Sequence, residues 1–271
     1  MTTRPLKLGG VPEHFNLPWH LALESGDLDD VQAVWEDQSG GTGQMLSKLA
    51  SGDLDVASIL TEGTVSAIDK GLPVTIVQVY VSTPLQWGIF VPGRSRYQEV
   101  SELDGARIAI SRFNSGSHLM AYILAEPLGW RITDDQFIVI GNLEGAVESF
   151  AGGHSDLFLW ERHMTAPLVE SGHFRQLDTM ESPWPSFVIA VRDEILAART
   201  TEVGRVVDAV VARAAGLKDM PDAVDLVAER YGLRPHTVKS WLALTTFAER
   251  SAMDPAIGHK VLETLARAGF S

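Results

Sequence analysis

The residues best equipped for chemistry lie in short polar blocks, each set directly after an apolar run. Ser115-Gly116-Ser117-His118 precedes the apolar stripe of Leu119, Met120, Ile123 and Leu124. A serine there caps a helix, and Gly116 lets a ligand oxygen approach the free N–H groups, so the block suits a carboxylate, sulfonate or phosphate. Taken alone, the block is more often an ordinary N-cap with no ligand. Ser111 and Arg112 open this loop, and Arg112 either adds charge to an anion site or is a solvated loop residue. His118 falls in the first helical turn, where a neutral imidazole can donate to a ligand or act as a base while the helix terminus lowers its pKa.

Two acids follow other apolar runs: Glu62 in Thr61-Glu62-Gly63 and Glu161 in Trp160-Glu161-Arg162. Each can accept hydrogen bonds from a ligand's amino group or sit at the surface near a helix N-terminus. Acid–base work by the pair is the weaker reading. Ser39 to Gln44 (SGGTGQ, with Thr42 and Gly43) lacks the lysine of a P-loop and the spacing of a dinucleotide fingerprint, which argues against nucleotide binding and leaves a flexible turn as the alternative. Trp19, Trp87, Trp160 and Trp184 fall in segments suited either to hold a flat or alkyl ligand or to pack a core. The eight histidines form no HExxH and no ligand-spaced cluster, so no metal and no cofactor are expected. Tyr231 to Leu242 (YGLRPHTVKSWL) looks like a helix-turn-helix, but 35 acidic against 22 basic residues give a net charge of −13, without a flanking basic stripe. Nucleic-acid contact is therefore not expected.

Positioning these blocks takes alternating strands and helices. With 271 residues, 45% of them hydrophobic, the chain can build one large or two medium domains. It has no cysteine, which excludes disulfides, thiolate nucleophiles and cysteine-ligated metals. The first fifteen residues lack the apolar core of a secretory signal, and no run is long enough to span a bilayer, so a cytoplasmic protein without membrane insertion is expected. Apolar runs predict strands over Leu6 to Val11, Val31 to Trp35, Asp55 to Leu60, Val74 to Val81, Arg107 to Ile110, Phe137 to Ile140, Asp156 to Leu159 and Phe187 to Val191, with crossover helices between them. Three or four helices follow Thr200. The fold class is α/β, with mixed, mostly parallel sheets flanked by helices. Thr83 to Arg96 and Glu181 to Val191 put proline and tryptophan beside extended apolar runs and look like crossings between two lobes. They divide the chain into a discontinuous lobe, 1–92 plus 185–271, and an inserted lobe, 93–184.

GGVPEHFNLPWH (Gly9 to His20), GGTGQM (Gly40 to Met45), LTEG (Leu60 to Gly63), YVSTPLQWGI (Tyr80 to Ile89), ISRFNSGSHLMA (Ile110 to Ala121), LWE (Leu159 to Glu161) and PWPSF (Pro183 to Phe187) together resemble the type II periplasmic-binding-protein fold. The closest resemblance is to a signal-less subgroup of the branch that holds aliphatic sulfonate-binding and thiamine-pyrimidine synthase-like proteins. It implies two lobes joined by two crossing strands, with a ligand in the cleft between them and hinge closure upon it. The cleft positions implied are Thr42, Gly43, Thr61, Glu62, Ser82, Thr83, Trp87, Ser111, Arg112, Ser115, Gly116, Ser117, His118, Trp160 and Glu161, with His14, Phe15 and Trp19 as further walls. Transporter-linked members carry an export signal or lipoprotein cysteine, so a permease partner is doubtful here. The synthases use a cysteine-rich iron site, which a chain without cysteine cannot reproduce.

The expectation is non-catalytic binding of a small sulfonate, carboxylate or pyrimidine-like metabolite. The alternative is a cytoplasmic lyase on the same fold, similar to chorismate dehydratase or 1,4-dihydroxy-6-naphthoate synthase, with His118 or Glu62 as base. A metabolite-sensing domain is a third possibility. The sequence leaves the oligomeric state open.

Overall fold

The computed structural model describes residues 4–250 and 252–269. In chain order the elements begin β1 (Leu6–Gly10), α1 (Leu17–Glu24), β2 (Ala33–Asp37), α2 (Gly41–Ser51), β3 (Val56–Leu60), α3 (Thr61–Asp69) and β4 (Val74–Pro92). Then come β5 (Ile108–Ile110), α4 (Gly116–Leu128), β6 (Phe137–Val139), α5 (Leu143–Ala151), β7 (Leu157–Glu161), α6 (Ala166–Glu170) and β8 (Phe174–Arg192). Five helices close the described chain: α7 (Asp193–Ala198), α8 (Thr200–Gly216), α9 (Ala223–Tyr231), α10 (Pro235–Leu244) and α11 (Pro255–Arg267). The chain divides into unit 1, Met1–Thr83 with Trp184–Val261, and unit 2, Pro84–Pro183 with Leu262–Ser271.

Unit 1 has the strand order β2-β1-β3-β8, with β1 parallel to both its neighbours and β8 antiparallel to β3. Residues Val56 to Ile59 of β3 are all buried, as an unalternating apolar run requires when both faces of a strand are covered. Met45 and Leu49 of α2 lie one helical turn apart and pack onto Leu54, Ala57, Ile59, Val188 and Ala190. Helix α8 lies against α1, burying Val203, Val206, Val207 and Val210.

Unit 2 has the order β4-β7-β5-β6, with β7 antiparallel to β4 and β5 parallel to both β6 and β7. Its core is Phe90, Ala109, Ala146, Phe150, Phe158 and Phe174. Parallel pairing of β5 with β7 brings the carboxyl ends of those strands, Ile110 and Glu161, to one edge. In unit 1 the carboxyl ends of β1, β2 and β3 likewise share an edge.

Several boundaries differ from the sequence reading. The expected strand Val74 to Val81 and the crossing that follows it form one strand of 19 residues, β4, and the expected Phe187 to Val191 is the end of an equally long β8. Pro84, Pro183 and Pro185 sit inside these strands, and the β-branched and aromatic residues on both sides carry the extended backbone through them. β2 runs two residues later than expected, Ala33–Asp37. The division between units falls after Thr83 and before Trp184, where the sequence reading placed it at 92 and 185, and Leu262–Ser271 groups with unit 2. The helix-turn-helix-like stretch is α9, Gly232 in the left-handed region (φ 64), and α10. Its Val238 and Trp241 are buried, so the α10 face they occupy packs inward. Among the described residues, no helix is long and apolar enough to cross a membrane.

Candidate functional site

In unit 1, β3 runs straight into α3, and the junction presents Thr61 and Glu62. The Thr61 hydroxyl donates to the Pro185 carbonyl at 2.6 Å and contacts that of Ser186 at 3.3 Å, pinning the helix start to β8. Glu62, 5% exposed, accepts a hydrogen bond from the Trp184 indole N–H at 2.9 Å. Among the described residues no cation pairs with it. Burial pushes its carboxyl up from 4.5 to about 7, against the pull of its own backbone N–H and of the indole. A carboxyl balanced near neutrality can accept from a ligand's N–H when ionised or donate to a ligand's oxygen when protonated.

Thr42, in the first turn of α2, packs against the same junction. A Cβ built on Gly63 would lie 2.4 Å from Thr42 Cγ2, so α2 and α3 approach only because residue 63 is glycine. Gly63→Ala is therefore expected to destabilise the protein by about 1–3 kcal/mol in urea denaturation, despite alanine's better helix propensity. Thr42→Ser, which removes that methyl group, should restore most of the loss. A Gly63→Ala protein as stable as the parent would disprove the contact. Gly43 lies in the same turn, and Gln44 accepts from Gly40 N–H at 2.8 Å, tightening the loop before α2.

The remaining unit 1 candidates have structural partners. Ser82 donates to the Thr246 carbonyl at 3.0 Å, and Thr83 Oγ1 accepts from Thr246 N–H at 3.1 Å, tying β4 to the segment after α10. His14 and Phe15 pack edge-on against Trp241, with ring centroids 4.5 and 5.4 Å away, and Phe15 also meets Phe187 at 4.9 Å. Phe187 stands opposite Leu60 in the β3–β8 register, which puts this aromatic group beside the Thr61 end. Trp19 is fully buried between Trp35 and Tyr80 and belongs to the core.

In unit 2, Ser115 is the N-cap of α4, accepting from His118 N–H at 3.3 Å, and its hydroxyl lies 3.1 Å from that of Ser117. Ser117 Oγ in turn accepts from Ser111 N–H at 3.0 Å. The hydroxyls thus hold the loop after β5 in shape around Gly116, the first residue of α4. His118 Nδ1 accepts from Asn114 N–H at 3.0 Å, with Asn114 itself in the left-handed region at φ 62. The imidazole lies edge-on to Phe113, Tyr122 and Phe137, and burial lowers its pKa to about 4, against the pull of Asp134. Burial likewise lowers the pKa of Arg112.

β4 sets Trp87 opposite Glu161 and Gly88 opposite Trp160. Trp87 is buried, and Trp160 stacks on Phe158 at 5.2 Å. Glu161 is 5% exposed, meets His163 Nδ1 at 2.8 Å and accepts from Met164 N–H at 2.7 Å.

His163 stands outside the set of site residues read from the sequence, and Trp184 is read there only as a ring face for a ligand or for the core, not as the partner of Glu62. Both had a signal: Trp184 lies in PWPSF, and His163 follows Glu161 by two residues at a strand end. Nothing in spacing connects Trp184 to an acid 122 positions away.

Two α/β units, with polar loops and buried acids at strand carboxyl ends, give the chain the type II periplasmic-binding-protein-like fold. Within that class, the profile described as Ca3427-like PBP matches residues 87–180. The Candida albicans CA3427 gene product, described as defining a family with the generic periplasmic binding protein fold, is similar at 26% identity and TM-score 0.92, the match covering 99% of this chain and 91% of that one. The alkanesulfonate-binding protein SsuA from Xanthomonas axonopodis pv. citri, bound to MOPS, shares the fold at TM-score 0.82 and 20% identity over 99% of this chain and 95% of that one. The periplasmic nitrate-binding protein NrtA from Synechocystis shares it at TM-score 0.79 and 13% identity over 99% and 82%. No curated protein sequence matches the chain.

Proposed function

We propose that the protein binds a small organic ligand, a sulfonate, carboxylate or pyrimidine-like metabolite, without transforming it. The observation that carries this reading is Glu62: a buried carboxyl at a strand end, held by the Trp184 indole N–H and its own backbone N–H and with no cation partner among the described residues, on a fold whose relatives include proteins that bind small molecules. Burying such a group costs stability unless a ligand completes its hydrogen bonding. In unit 2, the Ser111 to His118 loop and Glu161 are a further group of polar residues at strand carboxyl ends.

A lyase would need a base. His118, with Nδ1 taken by Asn114 and its pKa lowered to about 4, is a poor one at neutral pH, whereas Glu62, titrating at about 7, is the base a lyase would use. Unchanged ligand recovered after incubation with the protein separates binding from turnover.

The test is native mass spectrometry of freshly purified protein, followed by thermal-shift titration with alkanesulfonates, small carboxylates and aminopyrimidines. One class should raise the melting temperature in a concentration-dependent way, and Glu62→Gln should shift that ligand's affinity about tenfold or more. A panel that leaves the melting temperature unchanged, together with no co-purifying compound, would rule out this ligand class.

A further inference from the structure

The Glu62 junction lies where two helices begin. α3 starts at Thr61, directly after β3, and α2 starts at Gly41, with Thr42 of its first turn against Gly63. Neither helix is capped by the side chain of the residue before it, Gly40 or Leu60. Helix N-termini carry partial positive charge, so two that converge favour an anionic group. The side chain set between them is itself an acid, and it is wholly buried. An ionised Glu62 would repel the anion that the helix ends attract.

No charge on the surrounding elements offsets that repulsion. β3 and the unit 1 part of β4 hold no charged residue, α2 holds only Lys48, which pairs with Glu36 at 3.4 Å, and α3 adds only Asp69 at its far end. In the unit 1 part of β8 the charged residue is Arg192, which meets Glu194 and Asp55. The loop before α1, whose Phe15 touches Phe187 beside this end of β3, carries Glu13 and His14. None of these acts on the Glu62 carboxyl: burial, the Trp184 indole and its own N–H set its charge state. Burial favours the neutral form, and the indole N–H on Oε2 leaves Oε1 to carry the proton. In that state the carboxyl can donate its O–H to an acid's oxygen, which an ionised carboxylate cannot do.

We propose that the Glu62 junction takes an acidic ligand together with one proton from solvent: Glu62 enters the complex as the neutral carboxyl and donates to a sulfonate or carboxylate oxygen. The inference rests on the binding reading above and narrows it to acids. The probes are butane-1-sulfonate and butyrate, both ionised from pH 6 to 9, with n-butylammonium as their cationic counterpart. Calorimetric titration in two buffers of different protonation enthalpy counts the protons exchanged. At pH 8 at least one acid should bind with uptake of about one proton, and its affinity should fall about tenfold per pH unit above pH 7. Glu62→Gln keeps an oxygen for the indole and sets an amide N–H where the acid proton would stand. It should bind that acid about tenfold more tightly than the parent at pH 8, without proton uptake and equally well at pH 6. An acid that binds with no proton exchanged, or as tightly at pH 9 as at pH 6, would overturn the inference and leave the binding reading standing. Butylammonium bound in place of the acids, with a proton released, would do the same. If none of the three binds, the inference falls, and the binding reading is left to the aminopyrimidines of its own panel.

Discussion

Replacing Glu62 by glutamine is expected to stabilise the ligand-free protein by about 3 kcal/mol at pH 8 and to leave its stability nearly unchanged at pH 4. The carboxyl is wholly buried and titrates at about 7, against 4.5 in the unfolded chain. Between those values the folded state holds a proton that the unfolded state has released, so stability falls as pH rises through this window. At about 1.4 kcal/mol per pH unit the loss accumulates to about 3 kcal/mol and is complete above the folded pKa. Glutamine has no charge to bury and keeps an oxygen for the Trp184 indole, so the variant should escape the loss. Urea denaturation at pH 4, 6 and 8 measures it. A Glu62→Gln protein no more stable than the parent at pH 8 would mean that the carboxyl is already solvated or paired when ionised.

His118 acts in the opposite sense. Its folded pKa of about 4 lies below 6.5, so between those values the unfolded chain binds the extra proton and stability rises with pH. The Glu62 and His118 windows overlap between 4.5 and 6.5, where the two slopes oppose each other. The parent protein should thus show a shallow pH dependence there, and the glutamine variant a visible rise. A site that holds a near-neutral carboxyl at a stability cost is what a binding protein needs and a purely structural strand end does not.

The placing of these groups was only partly legible in the sequence. Apolar runs located the eight strands because covered strands leave a continuous mark, and the polar blocks that follow them marked the strand ends where Thr61, Glu62, Ser115 and Glu161 stand. Proline and tryptophan beside apolar runs signalled the long strands β4 and β8, but not their full lengths, since extended backbone passes through Pro84 and Pro185 without changing direction in the chain. Contacts between residues remote in sequence left no mark. Glu62 meets Trp184, Thr42 meets Gly63, and Phe15 meets Phe187 only because β3, β8 and α2 are packed together. His118 was read as a group facing ligand, and its residue type and first-turn position are as expected. That its ring lies among Phe113, Tyr122 and Phe137 depends on where β6 runs, which spacing along α4 does not encode.

Truncating Asp55 should cost far more than truncating the arginine that meets it at the surface. Its carboxylate is fully buried immediately before β3, taking two hydrogen bonds from Arg4 at 2.6 and 2.7 Å and one from Lys7 N–H at 3.0 Å, with Arg192 at 3.6 Å. Its backbone joins the same strands, donating to the Lys7 carbonyl at 2.9 Å and accepting from Arg192 N–H at 3.1 Å. Burial alone would raise the pKa, but the Arg4 and Lys7 hydrogen bonds outweigh it and hold the group below 3.8. Its stabilisation is thus present above pH 3.8 and is lost as pH falls through the folded pKa, outside the window in which Glu62 acts. Asp55→Ala leaves Lys7 N–H without its acceptor and Arg4 without its partner, while Arg192 keeps only its exposed pair with Glu194, for an expected loss of about 3 kcal/mol in urea denaturation at pH 7. Arg4→Ala removes a partner that is 47% exposed while Arg192 and Lys7 N–H remain, so it should cost about 1 kcal/mol or less. The contrast between the two variants is the decisive measurement. If Arg4→Ala proves as damaging as Asp55→Ala, the exposed arginine carries the interaction and the buried anchor assigned to Asp55 is wrong.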